Sequence, residues 1–296
     1  MSLSEQSSTL TSRLSALAQR LGLVGRVPRQ ILERASTLHL PFKALPELRD
    51  SIWWNAGAPL QRLVDLPRGA LSGPVQEDKA NAHAMLIKVV EQEGRQLASF
   101  DLRLVDGVSG DCANEPAYAS FEDYAAAARC RNVRIISYKD FVKTISQALP
   151  RFLAGDPIKL YQASWTGSRT YWQGEQRSEA FACAVAYARR RGLEVTLPAQ
   201  VTRYQLSPTG LSMIQQHYHV LAMPVSTWSD PAFMGLLLDN GLPYARLSLL
   251  RAPGAPEFLL LPKDNPDAMA LGEGLRLAGA PDVVRYLTEQ TVGREG

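Results

Sequence analysis

Four residues ahead of a helix, Gly174-Glu175-Gln176-Arg177, make the strongest case for chemistry in this chain. A glycine permits a tight turn. The helix that begins at Ser178 or Glu179 would present unpaired backbone amides and the positive end of its dipole to that turn. With the Arg177 guanidinium beside them, these groups converge on a site for an anion such as phosphate. Asp156 and Lys159, where a preceding strand begins, are candidate neighbours of the same turn.

Other groupings are weaker. His217 and His219 would share one side of an extended segment, but a metal usually needs three or four ligands and no third His or Cys lies nearby. The loop Asp106-Gly107-Val108-Ser109-Gly110-Asp111 has the acidic character of a hard-cation loop. It lacks the full ligand series and the terminal Glu, and reads better as a polar loop after a strand. Cys112 has no His close in sequence to activate it. Cys183 sits among Ala and Phe on the helix that follows Arg177, as a small buried hydrophobe. Arg189-Arg190-Arg191 complements that helix's C-terminal dipole. With Arg129, Arg131 and Arg134 it would form a phosphate-contacting patch if the two clusters met. Trp165 and Trp172, on the two strands before the turn, would share a face beside it, either in the core or as a stacking surface.

Positioning these residues requires a particular order of elements. Phe141, Ile145, Leu149 and Phe152 mark an amphipathic helix over 138–153. Lys159 to Trp165 reads as a strand, and Thr170 to Trp172 pairs back on it across Gly167. The helix from Ser178 buries Phe181, Val185 and Ala188 and stops at Gly192, and Thr196 to Leu206 is the next strand. This order, with the Gly-x-Pro-Ile strand start at Gly155 and the Gly-Glu-Gln-Arg turn, resembles the ParB/sulfiredoxin-like core over about residues 138–205. The resemblance implies a turn that binds a nucleotide's phosphates and a metal, with Glu175 near the metal and Arg177 near phosphate. Gln176 stands where the family carries a basic residue or His, and the Glu-Asn-x-x-Arg signature of the partition proteins does not follow. Both departures favour binding over catalysis. The whole chain also resembles an uncharacterised bacterial family, which implies no activity.

Elsewhere, residues 4–38 read as two helical pieces and Leu40 to Asp78 as an irregular connector carrying Trp53-Trp54. Ala84 to Val105 reads as a hairpin turning at Glu93-Gly94. Ser120 caps a short helix, and Val133 to Ser137 is a short apolar strand. Helices at 208–218, 230–240, 266–277 and 281–291 surround a second hairpin formed by 244–250 and 257–261. The expectation is an α+β fold: a mixed central sheet, helical N- and C-terminal segments, residues 1–80 packing on a main domain of 81–296, and the ParB-like segment inside it.

The 296 residues are 46% hydrophobic and carry a net charge of +3. That is ordinary globular composition, without the concentrated basic face that nucleic acid demands. No apolar run approaches the roughly 18 residues of a membrane span. Three widely spaced cysteines form neither a disulfide framework nor a zinc motif, so the cytoplasm is the default compartment. The functional expectation is a bacterial protein that binds a nucleotide or other phosphorylated small molecule, or a protein partner. The alternatives are a Mg²⁺-dependent nucleotide phosphohydrolase or phosphotransferase, and a non-enzymatic regulator associated with protein or nucleic acid.

Overall fold

Apolar residues three and four apart, and β-rich runs between Gly and Pro, become helices and strands in a computed structural model. The structure describes residues 14, 16–20, 22–23, 25–45, 50–56, 58–109, 116–167, 169–174, 176–250 and 254–292. The helices are α1 (Arg26–Ser36), α2 (Gln76–Leu86), α3 (Phe121–Ala125), α4 (Tyr138–Ala148), α5 (Ser178–Arg191), α6 (Pro208–His217), α7 (Pro231–Leu238), α8 (Pro266–Leu277) and α9 (Val283–Val292). The strands are β1 (Leu71–Ser72), β2 (Val90–Asp101), β3 (Gly107–Val108), β4 (Ile158–Ala163), β5 (Thr170–Trp172), β6 (Thr196–Leu206), β7 (Tyr218–Met223), β8 (Ala245–Leu247) and β9 (Glu257–Pro262). The fold is α+β, as the sequence predicts, with helices at both ends of the described chain.

The chain packs into two compact units whose segments interleave. One draws on residues 1–46, 60–90 and 207–292, the other on 47–59 and 91–206. The first 80 residues therefore contribute to both.

The first unit holds an antiparallel sheet in the order β1-β8-β9-β7. The expected 244–261 hairpin is its β8–β9 pair. Leu221, Leu259 and Leu261 share one apolar cluster with Ile31, Leu32 and Ala35 of α1 and Leu271 and Leu275 of α8. Helices α1 and α8 approach so closely that a Cβ at Gly274 would lie 2.5 Å from Ala35 Cβ.

The second unit is built on a mixed sheet in the order β2-β6-β4-β5-β3. β4 runs antiparallel to β5, with Tyr161 opposite Tyr171, and parallel to β6. β3 joins parallel to β5. Ile158, Leu160, Trp172, Ala199 and Val201 share a core with Phe141 and Ile145 of α4 and Phe181 and Val185 of α5. Helix α5 also packs on α3, which explains why it is buried almost continuously from Ala180 to Ala188. Ile52 and Trp53 enter the same core, and Val108 donates its amide to the Ile52 carbonyl at 2.7 Å.

The structure departs from two expectations. Ala84 to Val105 is no hairpin: residues up to Leu86 complete α2, and Glu93-Gly94 lies inside the single strand β2. A hairpin would pair this segment with itself. It is instead zipped to β6, its neighbour in the sheet, with Leu102 donating to the Val195 carbonyl at 2.9 Å. Residues 133–137 form no strand. Ser137 is committed to capping α4 in a reciprocal capping box with Asp140, which also accepts from the Ile136 amide and draws the segment into the helix start.

Candidate functional site

Helix α5 begins at Ser178 as expected, and Gly192 ends it with φ 61°. Ahead of it, the turn is anchored at both sides. The Gln173 amide donates to the Lys159 carbonyl at 2.9 Å, the Ser109 amide to the Trp172 carbonyl at 2.9 Å, and Ser109 Oγ to the Gly174 carbonyl at 3.4 Å. Glycine at 174 is demanded by packing, because a Cβ there would lie 1.9 Å from Trp172 Cζ2. The Trp172 indole stacks on Phe181 with ring centroids 4.1 Å apart. It belongs to the face that receives α5.

Arg177 takes the N-cap position with φ 58° and ψ 38°, the one non-glycine residue of positive φ among the described residues. Its carbonyl accepts the first helical bond, from Phe181 at 3.1 Å. Gln176 and Arg177 are exposed. Glu175 lies outside the described residues.

Of the other predicted contributors, Lys159 is exposed, and its backbone adjoins Gln173. Asp156 forms an ion pair with Arg151, Oδ2 to Nε 3.1 Å. The structure therefore ties Lys159 to the turn through the main chain and occupies Asp156 with a different partner.

No local signal announces the cluster behind the first turn of α5. Glu179 accepts from Arg129 Nη2 at 2.7 Å across fifty residues of chain. Burial works against its charge, but its own backbone amide, Arg129 and Arg177 outweigh that and hold its pKa below the ordinary value. The start of α5 thus already attracts one carboxylate. Beside it, Tyr124 is fully buried and its hydroxyl has no hydrogen-bond partner among the described residues. Burial, then the nearby Glu179 charge, push its pKa up. Burial, then the neighbouring Cys130, push the Cys183 thiol up to about 12, and burial raises Cys130 as well. Thiols so protonated are packing groups rather than nucleophiles, as expected for Cys183.

Several expected groupings do not assemble. Trp165 and Trp172 part company. Trp172 meets Phe181, whereas Trp165 lies 6.5 Å from Tyr204, at the edge of a cluster in which Trp54 touches Tyr161, Tyr171 and Tyr204. The cause is register: Trp172 stands opposite Leu160, whereas Trp165 keeps the parity of Tyr161 and Ala163, which stand opposite Tyr171 and Tyr204 on the other face of the sheet. The doublet Trp53-Trp54 was the available signal for this cluster, because one ring enters each environment.

Arg129 is held at the first turn of α5. Arg189, ten residues further along that helix, donates to the Arg103 and Val105 carbonyls and pairs with Asp106 and Glu122. Ten residues of helix span about 15 Å, so the two basic clusters do not merge. Asp106 also accepts from the Thr170 amide at 3.0 Å, which makes it a tie between β3 and β5. Gly110, Asp111 and Cys112 lie outside the described residues.

His217 ends α6 exposed and contacts the Met213 carbonyl, while His219 is buried on β7. The segment is helical at one ring and extended at the other, so the pair diverges. Among the described residues no group of three or more His, Cys, Asp or Glu side chains is placed to hold a metal. No helix among them is long and apolar enough to cross a membrane.

Neither a curated protein nor a solved structure matches the chain. Residues 95–291, which include the α5 turn and every strand but β1 and the start of β2, match a family of unknown function (DUF6685), and the chain belongs to that family.

Proposed function

We propose that this is a binding protein whose Gly174–Arg177 turn takes an anionic, phosphorylated ligand, a nucleotide among them, on a ParB/sulfiredoxin-like arrangement over residues 138–205. The observation that carries this reading is the Arg177 backbone. A left-handed conformation costs a side-chain-bearing residue roughly 1–2 kcal/mol. Here the strain falls on an exposed arginine at the N-cap of a fourteen-residue helix, beside its free first amides. Glu179 supports the sign of the local field, being a carboxylate already drawn to that helix start. The succession α4, β4, β5, turn, α5, Gly192 and β6 supports the resemblance.

Binding is favoured over Mg²⁺-assisted phosphate hydrolysis by one specific feature. Among the described residues, Asp156 and Glu179 are each committed to an arginine, whereas a Mg²⁺ site draws on carboxylates free to coordinate.

The test is a thermal-shift and calorimetric titration with nucleotides and inorganic phosphate, with and without Mg²⁺, on wild type, Arg177→Ala and Arg177→Gly. A ligand at 100 times its dissociation constant stabilises the wild type by about 2.7 kcal/mol. Both variants lose that shift, because both lack the guanidinium. Without ligand, Arg177→Gly melts above Arg177→Ala, because glycine adopts φ 58° without strain. A wild type indifferent to every phosphorylated ligand, or an Arg177→Gly that binds as well as wild type, overturns the reading.

A further inference from the structure

β2 closes one side of the five-stranded sheet, and among the described residues its outer edge pairs with no other strand. It is twelve residues long, about twice the ordinary strand of about 5–6. Residues 91–99 are all exposed. The strand holds no proline, one of the devices that blunt natural edges. Such an edge offers a row of N–H and C=O groups to another strand.

The charge pattern selects which strand. Glu93 and Arg95 flank Gly94 and, being two residues apart, lie on one face, with Arg95 Nε 2.9 Å from Glu93 Oε1. When β2 is laid antiparallel on its own copy about a two-fold axis at Gly94, each Glu93 faces the other copy's Arg95. In the same register Gln92 meets Gln96, Glu91 meets Leu97 and Val90 meets Ala98, so no like charges are opposed. A parallel, in-register copy would set Glu93 against Glu93 and Arg95 against Arg95, which is unfavourable. Gly94 lies outside the positive-φ residues, and a Cβ built on it has no atom within 4 Å.

We propose that β2 is the interface of a two-fold homodimer, paired antiparallel about Gly94, that joins two copies of the sheet into one. Sedimentation velocity on the full chain over a concentration series should show a reversible dimer that weakens as salt rises. Glu93→Arg and Arg95→Glu each bring like charges together and should weaken it, and the double swap should restore it. Because both side chains are exposed, thermal melts of the variants at concentrations where wild type is monomeric should match it. In a Cys112→Ser background, diamide should oxidise paired Gly94→Cys thiols to an intermolecular disulfide. Leu97→Cys, six residues from its copy in this register, should stay monomeric in the gel. A monomer at every concentration the protein tolerates, a dimer indifferent to both charge reversals, or cross-linking at Leu97→Cys in place of Gly94→Cys would each overturn the proposal. The first of these would leave the edge to a strand from a different protein.

Discussion

A Cβ built on Gly174 lies 1.9 Å from Trp172 Cζ2, so even alanine must push the indole off Phe181. Overpacking of this kind costs typically 1–3 kcal/mol. Urea unfolding of Gly174→Ala should show a loss in that range, and an unchanged midpoint would mean that the stack yields freely. His219 carries a different residue-scale consequence. Burial first, then the Lys263 and Arg276 cations, lower its pKa to about 3. Glu273 Oε1, 3.9 Å from Nε2, does not keep the ring charged against them. The unfolded chain binds this proton near pH 6.5 and the fold does not, so stability falls as pH drops from about 6.5 toward about 3, by at most about 1.4 kcal/mol per pH unit. Denaturant titrations at pH 7, 6 and 5 should show a shallower slope for His219→Gln than for wild type. Equal slopes would place the titration elsewhere.

Helix α4 starts where Ser137 and Asp140 exchange hydrogen bonds, Asp140 N to Ser137 Oγ 3.2 Å and Ser137 N to Asp140 Oδ2 3.0 Å. Ser137→Ala should cost about 1 kcal/mol, read from chemical unfolding, since an N-cap of this kind contributes about that much. This element also shows what a sequence makes legible. Phe141 and Ile145 announce the helix, and Ser178, Gly192 and the β4–β5 pair were legible for the same reason, because each rests on signals within a few residues. The neighbouring Val133–Ser137 segment is not legible in this way, because apolar composition alone does not reveal that its last residue serves the helix. β2 is not legible as one strand from local signals, because its partner, β6, lies about a hundred residues away. The site followed the same division. Arg177 and Gly174 were visible locally, whereas Glu179–Arg129, the Tyr124 hydroxyl and the indole over Gly174 arise from tertiary contacts.

The whole chain is woven, and its second unit depends on a short segment ahead of its main body. Ile52 accepts the Val108 amide, and Trp53 meets Tyr124 edge-on at 5.3 Å. A fragment of residues 91–206 should therefore lack the near-ultraviolet circular dichroism of a packed aromatic core. A peptide of residues 47–59 added in trans should restore part of it, and a fully native spectrum from the fragment alone would contradict the dependence. The interleaving also governs events on the ribosome. The second unit's main body is complete once residue 206 emerges, but the first unit needs α8 and β9, from a segment ending at residue 292. The intervening 86 residues take about 4–17 s to synthesise at about 5–20 residues per second. For that interval Ile31, Leu32 and Ala35 of α1 stand without the helix and strands that bury them. That apolar face is then open to a chaperone, so slowing translation through residues 207–292 should lower the yield of native protein, and a yield indifferent to codon speed there would contradict this.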